Sequence, residues 1–183
     1  MISQFRLQYI LVLIGVFLIP LVLTPLIRFL AFHIGAVDNP NARRINKVPM
    51  PSSGGLGILI AFLVGTLILM PIITVRNHYF MSYFDYILPV TIGGLIVSMT
   101  GFIDDIFELK PRSKMLGIIL GALVVWAFTD YRFDSFKIPF GGPMLYFGPV
   151  LSFFLTVLWI VAITNAINLI DGLDGLVCGV SVI

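Results

Sequence analysis

Ile87-Leu-Pro-Val-Thr-Ile-Gly-Gly-Leu-Ile-Val-Ser-Met-Thr-Gly101-Phe-Ile103 is a run of 17 residues without a charge, ending on the adjacent carboxylates Asp104 and Asp105. At the rise of an α-helix such a run spans roughly 25 Å, the lower edge of what crosses a hydrocarbon core of ~30 Å. Working outward from it, four more runs of this kind appear. Leu7 to Phe32 is interrupted by Pro20 and Pro25, and Gly54 to Ile73 holds no charge. Met115 to Phe128 is short enough for a re-entrant segment to compete, although Arg112, Lys114 and Trp126 suit interfacial anchoring. The fifth runs from Tyr146 to Ile163, and a sixth begins near Leu173. About ten residues follow Leu173, too few to cross, so the chain is expected to be C-terminally truncated.

Composition agrees with that count. Of 183 residues 59% are hydrophobic and 11% charged, with a mean hydropathy of +1.08, which excludes a water-soluble globule and a disordered chain. The single cysteine, Cys178, excludes a disulfide scaffold. A net charge of +2, with no basic run beyond Arg43-Arg44, gives no ground for a nucleic-acid partner. The N-terminal run is too long for a signal-peptide core and reads as an anchor. The expected architecture is an all-α polytopic membrane protein: five complete transmembrane helices, the start of a sixth, and residues 1–183 as a single integral membrane domain.

Five crossings would bring residues 33–53, 104–114 and 164–172 to one side, and these carry nearly all the unusual polar groups. Together with Arg28 they hold seven of the basic residues, against four on the other side (Arg6, Arg76, Arg132, Lys137). The excess of positive charge places this face in the cytoplasm and the N-terminus outside.

Asp104-Asp105 closes an apolar helix. Simple termination at the headgroups explains the pair poorly, because adjacent carboxylates repel and a helix C-terminus disfavours anions. A bound cation would relieve both, and Mg²⁺ takes carboxylate oxygens while keeping waters and phosphates as its other ligands. Glu108, a turn further on, reads more readily as a solvated face than as a ligand. In Asn165-Ala-Ile-Asn168-Leu-Ile-Asp171-Gly-Leu-Asp174-Gly-Leu, polar residues recur at every third position, which gathers them on one side of a helical turn. One aspartate could cap the sixth helix, but four polar side chains exceed that need. Asn165 and Asn168 could donate to phosphate oxygens or satisfy backbone groups at membrane depth. The first loop contains Arg43, Arg44 and Lys47, then Pro49, Pro51 and Gly54-Gly55. A basic connector touching anionic headgroups explains Arg43 and Arg44 as well as catalysis does. Lys47 stands before a helix start whose free amides suit an anion. These residues point to phosphate chemistry at the bilayer surface, and leave a transporter open, since ionisable groups near membrane depth also mark ion pathways.

Three ordered motifs carry a more specific signal: Asp38-x-Pro40-Asn41-x-Arg43-Arg44 with Lys47-x-Pro49-x-Pro51-x-x-Gly54-Gly55; Gly101-Phe-x-Asp104-Asp105; and Asn165-x-x-Asn168-Leu-x-Asp171-Gly-x-Asp174-Gly-Leu. With them the chain resembles the polyprenyl-phosphate N-acetylhexosamine-1-phosphate transferases of glycosyltransferase family 4, over the first half or so of that family's usual length. The first loop looks nearer to enzymes that initiate teichoic acid or O-antigen with GlcNAc-1-phosphate than to the muramoyl-pentapeptide branch. It departs from the family at Asn46, commonly His, and at Ser52, commonly basic. Tyr131-Arg-Phe-Asp-Ser-Phe-Lys-Ile-Pro-Phe-Gly-Gly looks like the family's short extracytoplasmic hairpin.

The resemblance implies transfer of a sugar-1-phosphate from a UDP-N-acetylhexosamine to undecaprenyl phosphate with release of UMP, in the bacterial cytoplasmic membrane. It further implies Mg²⁺, or Mn²⁺ in its place, and is compatible with a homodimer. Asp104, Asp105, Asp171 and Asp174 become the expected catalytic residues. Lys47, Arg43, Asn165 and Asn168 would bind substrate, and Asp104, Asp105, Asn168 and Asp171 would hold the metal. A chain lacking the family's later motifs leaves an inactive fragment as a further reading.

Overall fold

The computed structural model describes residues 2–38, 40, 47–74 and 80–170. Arg43, Asn46, Asp171, Gly172, Asp174 and the expected sixth helix lie outside the described residues. The architecture is helical. α1 is Ile2–Ile34, α2 Gly55–Val64, α3 Met70–Thr74, α4 Phe80–Phe107, α5 Pro111–Phe128 and α6 Pro149–Ile170. Two small antiparallel ribbons complete it: β1 (Val37–Asp38) with β2 (Met50–Pro51), and β3 (Ser135–Lys137) with β4 (Met144–Tyr146). Five stretches are long and apolar enough to cross a membrane: Leu7–Ile34, Gly55–Ile72, Tyr83–Phe107, Pro111–Phe128 and Pro149–Ile170. Only 6% to 28% of the most apolar window in each is buried against protein. Large side chains such as Phe17, Val22, Ile58 and Leu158 face outward all round the bundle, a surface that hydrocarbon accepts and water does not. The chain is a multi-pass membrane protein.

Small residues make many of the helix contacts, beside the buried Ile27, Leu59, Ile118 and Val161, as suits lipid-embedded packing, where no hydrophobic force draws apolar helices together. Ala31, Ala61, Ala122 and Ser152 are buried, and Ser152 is the largest of the fully buried side chains. α4 and α5 form the most extensive helix pair. Their seam is backbone on backbone: a methyl group on Gly93 would sit 2.8 Å from the Gly121 carbonyl oxygen, and one on Gly121 would sit 2.7 Å from that of Gly93. A methyl on Gly117 would collide with the Thr100 side chain. Glycine is what lets the two helices approach this closely.

Sequence and structure differ at the helix ends. α4 runs through Asp104 and Asp105 to Phe107, and α6 runs through Asn165 and Asn168 to Ile170. These residues had been expected in emergent segments, but at headgroup depth a helix can carry polar side chains for a further turn. The fourth run begins at Pro111, giving an 18-residue helix that can span. Pro20 and Pro25 leave α1 continuous.

The second span is not a uniform helix. Gly65–Leu69 is π-helical, with the Met70 N–H donating to the Gly65 carbonyl. Continued by one residue, that pattern would have residue 71 donate to Thr66, but Pro71 has no N–H. The orphaned Thr66 carbonyl instead accepts the Tyr83 hydroxyl from α4 at 2.9 Å. An unsatisfied carbonyl at membrane depth is costly. Tyr83→Phe is therefore expected to destabilise the protein by about 1–3 kcal/mol, measurable as a lower thermal midpoint in detergent.

Candidate active site

The reversal between α4 and α5 takes three residues, Glu108 to Lys110. Glu108 adopts φ 46, the left-handed conformation that ends helices, and its N–H donates to the Asp104 carbonyl at 2.9 Å. Lys110 is extended and Pro111 opens α5, where the missing N–H costs nothing. This turn sets the first turn of α5 beside the last turn of α4. Asp104 Oδ1 accepts the Leu109 N–H at 3.0 Å, and Oδ2 accepts the Lys114 ammonium at 2.7 Å. The Lys114 and Asp104 side chains are 23% and 21% exposed, so the pair is shielded from bulk water. The unfavourable position of Asp104 at a helix C-terminus is thus offset by one local amide and one cation.

Lys114 also donates to Asn168 Oδ1 on α6 at 3.0 Å. One ammonium therefore ties together α4, α5 and α6, and with them two of the three sequence motifs. Beside it lies a cavity of about 340 Å³, lined by Ser52, Ser53, Asp104, Asp105, Lys114 and Asn168 and by apolar groups that include Leu59, Val97 and Ile118. The remaining wall is the start of α2, where Gly54 is the N-cap without a side-chain hydrogen bond. The β1–β2 ribbon holds that start in place, and both the N–H and the hydroxyl of Ser52 donate to the Ala36 carbonyl. The cavity wall is thus both polar and apolar.

The residues singled out in the sequence divide as follows. Asp104, Asp105 and Asn168 meet at the cavity. Asn165, one turn earlier on α6, turns to its own helix and to α5, donating to the Val161 carbonyl at 2.8 Å and approaching Met115 Sδ at 3.4 Å. Lys47 is exposed in the bend before β2 and does not line the cavity. Glu108 is exposed. Among the described residues no group of three or more His, Cys, Asp or Glu gathers as a metal site. Lys114, the cross-link of the site, was read from the sequence only as an interfacial anchor. The signal that locates it is its spacing: ten residues beyond Asp104 with a proline-marked helix start between them. Thr164 also lines the cavity and drew no attention in the sequence.

The chain is similar to several known proteins. The chain is 39% identical over 163 residues to a probable undecaprenyl-phosphate N-acetylglucosaminyl 1-phosphate transferase of Bacillus subtilis, covering 89% of this chain and 42% of that protein. It is 32% identical to a decaprenyl-phosphate N-acetylglucosaminephosphotransferase of Mycobacterium tuberculosis, covering 86% and 38%. With a phospho-N-acetylmuramoyl-pentapeptide-transferase of Staphylococcus epidermidis the identity is 31%, covering 93% and 54%. The chain thus spans about half or less of the length of these relatives. No solved structure matches it. The family model for glycosyl transferase family 4 matches residues 87–183, the stretch that supplies Asp104, Asp105, Lys114 and Asn168, and the chain belongs to that family.

Proposed function

We propose that this chain carries part of the active site of an enzyme that transfers GlcNAc-1-phosphate from UDP-GlcNAc to undecaprenyl phosphate, releasing UMP and starting a cell-envelope polysaccharide such as teichoic acid. The observation that carries the reading is the shielded Asp104–Lys114 pair, joined by Asn168, on the wall of a cavity lined by both polar and apolar groups. A phosphate on a polyprenyl tail has the same two characters. The names of the relatives supply the sugar and the lipid class. The face bearing the cluster is the cytoplasmic one, where nucleotide sugars are found and where the basic residues concentrate.

The reaction joins two anions. A phosphate monoester has its second pKa near ~6, so the lipid phosphate is largely dianionic at neutral pH and needs little deprotonation. Its oxygen attacks the β-phosphorus of the UDP-sugar in line, the bond from that phosphorus to the bridging oxygen breaks, and UMP leaves with the electron pair. Lys114 places a positive charge at the cavity, and the start of α2, where the Leu56 and Gly57 amides already donate to the Ser53 and Gly54 carbonyls, adds the positive end of its helix dipole. Asp104 fixes the Lys114 ammonium, Asn168 holds it from the opposite helix, and Asp105 stands at the same wall. The donor set of Asp104, Asp105 and the Asn168 carbonyl suits a hard divalent cation, because Mg²⁺ binds through one or two carboxylates and completes its shell with water and phosphate. These residues, with Asp171, would hold Mg²⁺ or Mn²⁺, which when bound neutralises charge on the diphosphate. Asp174 is proposed as a further catalytic residue, and Arg43, Lys47 and Asn165 as contributors to substrate binding.

Membranes carrying the full-length protein, supplied with UDP-GlcNAc and undecaprenyl phosphate, are expected to form UMP and a lipid-linked GlcNAc in equal amounts, and to stop when EDTA is added. Movement of the nucleotide sugar across the membrane without UMP would make the protein a transporter and overturn the proposal.

A further inference from the structure

At the end of the bundle opposite the cavity, the 20 residues between α5 and α6 carry the β3–β4 ribbon, which none of the described residues covers. Every residue of β3 and β4 is exposed. Phe136 pairs with Leu145 on one face, while Lys137 with Met144 and Ser135 with Tyr146 lie on the other, so both faces carry apolar side chains. At the tip Phe140 is fully exposed with φ 61, followed by Gly141 at φ 86, and the Ile138 N–H closes the turn on the Pro143 carbonyl at 3.2 Å. The one charge from Ser135 to Phe147 is Lys137. An isolated two-stranded ribbon of this kind is marginal in water.

Its base is of opposite character and firmly held. The Phe133 N–H donates to the buried Thr156 hydroxyl at 3.0 Å, the buried Ser152 hydroxyl donates to Asp134 Oδ1 at 2.9 Å, and the Phe147 N–H donates to the Asp134 carbonyl at 2.8 Å. Arg132 bridges Asp130 at 3.2 Å and Asp134 at 3.7 Å, with its guanidinium 5.9 Å from the Trp126 ring. Charges and aromatic rings, Trp126 and Tyr131 among them, thus collect where α5 ends and α6 begins. That is the composition of the headgroup zone of a membrane protein. The ribbon leaves from this level, tied at both ends to membrane-spanning helices, and reaches about 15 Å at the rise of an extended chain.

We infer that the β3–β4 ribbon is an interfacial anchor: it lies in the headgroup and upper acyl region of the leaflet at this end, with Phe136, Ile138, Phe140 and Leu145 in lipid and the Lys137 ammonium reaching back to the headgroups. The two-faced distribution of its apolar groups selects the bilayer over a protein partner. A partner docking on one face would leave the other in water, whereas a lipid interface solvates both faces and the tip. This inference is independent of the reaction carried out at the other end.

The test places a fluorophore at Phe140→Cys in a Cys178→Ser background, and in parallel at Met144→Cys and Asp130→Cys, with the full-length protein in vesicles of phosphatidylethanolamine and phosphatidylglycerol. The labels at 140 and 144 are expected to lose most of their emission to a lipid spin-labelled near the headgroup and little to aqueous iodide, while the label at 130 shows the reverse preference. Iodide quenching at 140 and 144 equal to that at 130 would put the ribbon in water and overturn the inference. Protection from both quenchers would overturn it as well, showing the ribbon covered by protein, either another segment of the chain or a second copy.

Discussion

Asp105→Asn is expected to lower UMP release by about 10²–10³-fold, the scale on which removing one preorganised electrostatic group acts in other active sites. Both oxygens of the neighbouring Asp104 are already engaged, Oδ1 by the Leu109 N–H and Oδ2 by Lys114. Asp105 lines the same cavity and, under the proposed function, acts on the reacting phosphates and their cation. Asp105→Asn preserves side-chain size and removes charge. Turnover should therefore fall in Asp105→Asn, while Asp104→Asn, which loses an ion pair shielded from water, should lower the thermal midpoint as well. Wild-type UMP release from Asp105→Asn would remove Asp105 from the chemistry. A phospho-enzyme trapped on either aspartate would replace direct attack by the lipid phosphate with a two-step mechanism.

Lys114→Met is expected to have the second largest effect, about 10²-fold in turnover with a measurable loss of stability. The side chain contributes two charge-assisted hydrogen bonds, one to each neighbouring helix; the part-buried one to Asp104 is worth about 1.5–3 kcal/mol, and the exposed one to Asn168 less. Its removal leaves Asp104 shielded from water without its counter-charge, a greater cost than the loss of a surface pair. Asn168→Ala removes one of the two bonds and leaves the ion pair, so it should fall between Lys114→Met and the parent. A double-mutant cycle of Lys114 and Asn168 on thermal stability should show coupling, since the residues are in direct contact. Additive effects would mean that the cross-link between α5 and α6 does not form in the membrane.

Much of this was legible in the amino-acid order. A charge-free run ending on two carboxylates announces a membrane helix, and with it four more long apolar runs give the fold. Parity then brings the motif-bearing segments to one end, which is where Asp104, Asp105 and Asn168 meet. The sequence was less informative about where helices stop, because hydropathy falls at the first charge while the backbone keeps its hydrogen bonds for another turn. Asn165 and Asn168 show the limit of spacing arguments: three residues apart they share a side of the helix in outline, yet Asn165 bonds within the bundle and Asn168 meets the cavity. Lys114 was harder still, since its partner Asn168 lies 54 positions away, and contacts of that range come from packing. The π-helical turn required knowing both that Pro71 follows Met70 and that Tyr83 stands opposite.

The glycine seam between α4 and α5 bears on how the protein is assembled. A three-residue connector costs little entropy to close, and Gly93 and Gly121 let the backbones meet without displacing bulky groups. The two helices are thus suited to enter the bilayer as a preformed hairpin, with Asp104 and Lys114 neutralising one another before either reaches a low-dielectric setting. α6, joined through a longer connector, would arrive at a lysine already paired and complete the triad through Asn168. Order of assembly would then be written into loop length and charge, with the site maturing only when its last wall is in place.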